Sequence, residues 1–161
     1  MRWMMAVFAF VLLAVPAAAR AQSDEEAVRG AIDRLFDGMR AGDSTAVRSA
    51  FHSSARLATV VDEGGNVELR IAESLDGFVR AVGTPHEEVW DERLHGVEVR
   101  VDGRLASVWT QYDFYLGDRL SHCGVDVFHL FQDGDGAWKI FDLADTRRRE
   151  GCGAAPSEGS R

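Results

Sequence analysis

Lysine is almost absent from this chain of 161 residues: Lys139 is the only one, and the other fixed cations are arginines. Cysteine occurs only at Cys123 and Cys152. Metal-binding spacings such as HExxH and CxxC are missing, so no metal site is expected. There is no G-x-S-x-G elbow for a nucleophilic serine. The P-loop and the Rossmann glycine pattern are missing too, because "EGGN" and "DGDG" read as turns. No cofactor is therefore expected. Positive charge is scarce as well: 18 basic residues face 26 acidic ones, for a net charge of −8. So acidic a surface argues against nucleic acid and anionic membranes as partners. The one basic run, Arg147-Arg148-Arg149, lies between Asp145 and Glu150 and reads as a solvated strand end.

Long apolar runs are absent after the first residues. The chain opens "MRWMMAVFAFVLLAVPAAARAQ", in which Arg2 precedes an apolar run from Trp3 to Val15. Pro16 and a small-residue stretch with Ala19-Arg20-Ala21 follow. This is the pattern of a signal peptide over residues 1–21, too short to span a bilayer comfortably. A mature chain from Gln22 is expected, exported to the periplasm or beyond and free of the membrane after cleavage. It is one domain's worth of chain, residues 22–152, with a small polar tail at 153–161 expected to be disordered. In an exported protein a single cysteine pair is read first as a disulfide. Joining Cys123 to Cys152 would close a loop of about 30 residues.

Ser23-x-x-Glu26 predicts a capped helix start, and Val28, Ile32, Leu35, Phe36 and Met39 then recur at helical spacing. Gly42 predicts its end, and Asp43 or Ser44 caps a second short helix through Phe51. "RLATVVD" and "VELRI" flank the turn "EGGN", and Ser74 to Val82 predicts a third helix. From residue 94 the period changes to two. "LHGVEVRV", "LASVWTQYDFYL", "LSHCGVDVFHLFQ" and "AWKIFDLADTRRR" are separated by tight turns and predict a four-stranded meander. Helices gathered on one face of a curved antiparallel sheet make an α+β fold.

Three segments carry a family resemblance. "AGDSTAVRSAFHSSARL" (41–57) resembles the second helix and first strand of the nuclear transport factor 2-like superfamily, and "WKIFDLADTRRREGC" (138–152) resembles its closing strand. "YDFYLGDRLSHCGVDVFHLFQ" (112–132) is most similar to an exported bacterial subgroup described as "putative lumazine-binding". The superfamily includes ketosteroid isomerases, scytalone dehydratases and SnoaL-like polyketide cyclases. The resemblance covers 23–152 and implies a cone-like fold, a sheet curved around three N-terminal helices. One such fold hosts many functions. Ketosteroid isomerases use an Asp base and a Tyr-containing oxyanion hole, but no motif here matches their catalytic Asp.

Strand alternation sorts the candidate residues. If Trp138 and Ile140 face the helices, Asp142 shares their face unless a bulge intervenes. His122, Gly124, Asp126 and Phe128 form the matching set on the preceding strand, and Val108, Thr110, Tyr112 and Phe114 on the one before. An inner wall with Tyr112, His122, Asp126 and Asp142 among apolar side chains suits a small-molecule pocket. Thr110, Phe128 and Trp138 would line it, with His52 at the mouth and Gly124 leaving room for a ligand or a strand bend. The same polar groups could instead cap turns or pair with arginines.

Three functions remain open. The first is an exported binding domain for a small, partly apolar ligand. The second is an isomerase, dehydratase or cyclase with Asp126 or Asp142 as base, His122 as relay and Tyr112 as oxyanion donor. The third is a non-catalytic interaction domain. The opposite face, with Trp109, Gln111, Asp113, Tyr115, Val127, His129, Phe131, Phe141 and Leu143, is too apolar to leave in water. The resemblance implies a homodimer there. His86 is expected in a solvated loop and His95 at a strand start, while His122 and His129 fall on opposite faces.

Overall fold

The computed structural model describes residues 17–152. Most of the expected signal segment and the 153–161 tail lie outside the described residues. Among those described, no helix is long and apolar enough to cross a membrane.

Helix α1 (Ala17–Ala41) is followed by α2 (Ser44–Ala50) and by the hairpin of β1 (Phe51–Glu63) and β2 (Asn66–Ile71). Helix α3 (Leu75–Gly83) leads to β3 (Trp90–Asp102), β4 (Leu105–Leu116), β5 (Arg119–Gln132) and β6 (Trp138–Arg147). The expected capping box at Ser23 does not start α1, which has already begun at Ala17; "AAARAQ" consists of good helix formers that extend it upstream. Asp43 does cap α2, its carboxylate accepting from Thr45 N at 2.9 Å and Ala46 N at 3.0 Å.

The six strands form one sheet in the order β2-β1-β6-β5-β4-β3. The expected meander of β3 to β6 is present. The closing strand β6 then runs parallel to β1, so the β1–β2 hairpin completes the same sheet. Strand β3 starts at Trp90, four residues before the expected start, because β4 supplies partners along its whole length, from Trp90↔Leu116 to Asp102↔Leu105.

Two bulges position the site. In β3 the register with β4 shifts between His95 and Glu98, where Gly96 takes a φ of 60°. In β6 the register with β5 shifts between Asp142, opposite His129, and Ile140, opposite Leu130. Phe141 is therefore the extra residue of that bulge.

Helix α1 buries Val28, Ile32, Leu35 and Phe36 against Val108, Phe128, Leu130, Trp138 and Ile140 of the sheet. Each such side chain contributes roughly 1.5–3 kcal/mol when fully buried. Phe36 meets Phe128 edge-on at 6.2 Å between ring centroids. The expected disulfide is present, joining Cys123 to Cys152 with Cα atoms 5.6 Å apart. Beside it, Cys123 and Arg148 exchange two backbone hydrogen bonds of 2.9 Å.

Candidate functional site

The inner sheet face changes chemistry along each strand. Near the helices it is apolar, with Phe128, Leu130 and Ile140 fully buried. Further along, cross-strand pairing sets two rows with polar groups on either side of the Tyr112–Gly124 pair. Glu92, Phe114 and His122 are successive partners across β3, β4 and β5. Thr110, Asp126, Asp145 and Thr59 are successive partners across β4, β5, β6 and β1.

Asp145 is well satisfied. Its carboxylate accepts from Thr59 Oγ1, from the Tyr112 hydroxyl at 3.2 Å and from Arg147 Nη2 at 3.4 Å. Asp126 is not. It is 3 % exposed, and its Oδ2 is buried without a hydrogen-bond partner among the described residues. Its neighbour is the carboxyl of the half-buried Glu92, with which it shares a hydrogen bond. Two carboxylates cannot bond to each other without a proton, so the pair holds one. Burial, reinforced by the charge of Asp126 and the bond to it, keeps Glu92 well above the usual carboxylate range. Burial also lifts Asp126 to about 7; Asp145 adds to that rise, while the Glu92 bond and Arg147 oppose it. Glu92 is therefore the protonated partner at neutral pH.

The rings beside this pair are His122, stacked on Phe114 at 4.7 Å, and Tyr112, edge-on to His122 at 5.9 Å. Desolvation, aided by Arg147, pushes His122 down to about 4, so the imidazole is neutral at neutral pH. Burial and then the charge of Asp145 drive the Tyr112 phenol upward, and it stays protonated. Its hydroxyl also lies 3.0 Å from Thr146 O. The one Tyr112 proton is thus held by Asp145 and the backbone rather than aimed at an oxyanion.

The structure brings Tyr112, His122, Asp126 and Thr110 onto the inner face, as alternation predicts. It does not assemble them into a relay: among the described residues His122 Nδ1 pairs with Ser121 Oγ at 3.1 Å, not with Asp126. Thr110 Oγ1 turns to His95 O at 3.0 Å and supports the β3 bulge.

Asp142 requires correction. The Phe141 bulge turns it outward, where it meets Arg56 at 3.0 Å and His129 at 3.2 Å. The same shift turns Leu143 inward onto the core, instead of outward as expected. His52 also faces out, bonded to Ser54 Oγ at 2.8 Å and edge-on to Phe131 at 5.3 Å. Phe128 and Trp138 are sealed in the core rather than lining an opening. The space expected at Gly124 is already filled, since a Cβ there would lie 1.8 Å from Thr146 O and 2.8 Å from the Tyr112 ring.

A family model described as "Putative lumazine-binding" matches residues 23–142. The chain belongs to that family. In fold, it is similar to an "NTF2-like protein with a cystatin-like fold" from Novosphingobium aromaticivorans (13% identity, TM-score 0.66, 84% of this chain and 89% of that one). A "putative ketosteroid isomerase" from Shewanella frigidimarina shares 17% identity at a TM-score of 0.53, over 74% of this chain and 94% of that one. A "putative dehydratase" from Streptomyces avermitilis shares 19% identity at 0.58, over 80% and 98%. These likenesses are of fold. No curated protein matches the chain.

In this domain, Glu92, Asp145, Thr59 and Arg147 are the site residues that sequence reasoning misses. Glu92 lies in "WDERL", whose alternation of Trp90, Glu92 and Leu94 marks a strand that "GTPHEEVWDE" disguises as loop. Ile140 and Leu143 are an odd number apart, and that spacing is the trace of the bulge that brings Asp145 inward.

Proposed function

We propose that this is an exported domain that binds a small molecule at the polar end of its cone. The observation that carries this reading is Asp126, a carboxyl buried beside Glu92 with one oxygen unpaired. A buried polar group left without a partner costs about 1–3 kcal/mol, more if charged, and a ligand donor would offset that cost. The family description and the aromatic rings of Phe114, Tyr112 and His122 support the same reading. Native mass spectrometry of the protein purified from its own cells tests it. A co-purifying molecule lost in Asp126→Asn is expected; a clean ligand-free mass, with no small molecule bound on titration, would rule it out.

The Glu92–Asp126 pair favours a second reading, acid–base catalysis of the isomerase or dehydratase kind. A carboxyl near 7 can exchange protons at neutral pH. Asp126 would be the base here, without Tyr112 as oxyanion donor. Turnover of any ligand recovered by mass spectrometry, abolished in Asp126→Asn, would separate catalysis from binding.

The outer sheet face supports a homodimer. Trp109 and Leu105 are 52% and 53% exposed there, and a groove of about 370 Å³ is lined by Glu98, Arg100, Trp109, Val127 and His129. Light scattering at micromolar concentration should give twice the chain mass, and a monomer for Trp109→Arg.

A further inference from the structure

The polar end of the cone is unbalanced in charge. Glu92, Asp126 and Asp145 bring three carboxyls together; Arg147 is the cation beside them, and Arg149 acts with it on His122. Arg147 hydrogen-bonds Asp145, not Asp126. On helix α1, packed over β3, Arg29 is held by Glu25 at 2.8 Å and by Val97 O at 3.0 Å, and Arg40 by Asp37 and Asp91. His122 is uncharged at neutral pH. Asp126 therefore shares a proton with Glu92 instead of pairing with a cation, and keeps a buried oxygen that meets no donor. These carboxyls do not form a metal-ligand group among the described residues. What Asp126 lacks is an N–H donor carrying positive charge, and the rings of Phe114 and Tyr112 offer faces that attract such a charge.

We propose that the site takes an organic monocation with a flat body, an amidinium or aromatic ammonium, whose N–H groups bond Asp126 beside Phe114 and His122. This deepens the small-molecule reading and rests on it. Planar N–H donors match a carboxylate in a two-pronged geometry. The proton on the pair competes with the cation for the same negative charge. Cation binding must therefore weaken as pH falls below the range in which Asp126 ionises.

Calorimetric titration of the exported, disulfide-intact protein with benzamidine, benzamide and benzoate tests this. The three share size and shape and differ in charge. Benzamidinium should bind saturably at pH 8, at least about tenfold tighter than benzamide, with no binding of benzoate. With Asp126 titrating at about 7, the affinity for benzamidinium should drop about tenfold from pH 8 to pH 6. Asp126→Asn should erase its preference over benzamide. Glu92→Gln, which leaves Asp126 a permanent amide donor in place of the shared proton, should keep the preference and flatten the pH dependence. It also serves if Asp126→Asn fails to fold.

Equal or tighter binding of benzamide or benzoate, or a preference that survives Asp126→Asn, would overturn the cation. A neutral or anionic molecule co-purifying with the protein would overturn it too, while leaving the binding reading intact. If nothing co-purifies and none of the three probes binds, both readings fall.

Discussion

Along β5 the inner face changes character between Phe128 and Asp126, two residues apart on one strand. Phe128 is fully buried among side chains that match it, edge-on to Phe36 and flanked by Val108 and Leu143. Asp126 is almost as buried, yet it meets a second carboxyl and keeps an unpaired oxygen. The apolar half shows what the fold needs, and the polar half shows what it tolerates. A group that is buried at a cost, where the same strand could hold a valine, points to a role other than stability.

Substitutions can break this contrast, starting with the largest expected effect. Phe128→Ala should lower unfolding free energy by about 3–5 kcal/mol in urea denaturation, through lost burial and the cavity left behind. A loss below about 1 kcal/mol would mean that the two halves are equally loosely packed. Gly124→Ala sits at the border. Its Cβ would run into a backbone carbonyl at 1.8 Å, so β6 must move away from β5 there. A loss of about 3 kcal/mol is expected, together with a shift in Tyr112 fluorescence or NMR signals as the phenol leaves Thr146.

Asp126→Asn should act in the opposite direction. Asp126 rises from 3.8 in the unfolded chain to about 7 when folded, so the folded state holds the extra proton between those values. Stability is therefore lost as pH climbs through that window, and the loss is complete above about 7. Asp126→Asn removes this dependence. It should match the parent near pH 4 and exceed it by about 4 kcal/mol at pH 8. His122 works the other way: its descent from 6.5 to about 4 on folding removes stability as pH falls through that interval. The difference between variant and parent, not the parent's own profile, is thus the quantity to measure. An Asp126→Asn variant less stable at pH 8 would show that the polar half is structural. The smallest effect is expected from Tyr112→Phe, about 1 kcal/mol, for the hydroxyl's bonds to Asp145 and Thr146.

Much of the fold was legible because it is written in local periods. The stripe of Val28, Ile32, Leu35 and Phe36 is a helix face in any context, and β4 matches "LASVWTQYDFYL" from end to end. The inward direction of Tyr112, His122 and Asp126 was legible for the same reason. Alternation is unbroken from Trp109 to Phe114 and from His122 to Phe128, the nearest irregularity in β5 falling at Ser121, just before His122. The error at Asp142 came from counting by twos across a bulge. The omission of Glu92 came from reading Pro85 and the acids of "HEEVWDE" as loop up to residue 93. At Gly124 the sequence shows a missing side chain but not the Thr146 carbonyl that occupies its place.

The sequence by itself determined which residues share a strand face where no bulge intervenes, and which cysteines could be joined. Both depend on neighbours in the chain and on the small number of partners available. Tertiary structure alone decided that β1 pairs parallel to β6, that Asp145 rather than Asp142 turns inward, and that Glu92 meets Asp126 from two strands away. Those outcomes depend on register, and one inserted residue exchanges the two faces of a strand. The charge that a buried carboxyl carries is likewise set by what packing brings beside it, which no local pattern encodes.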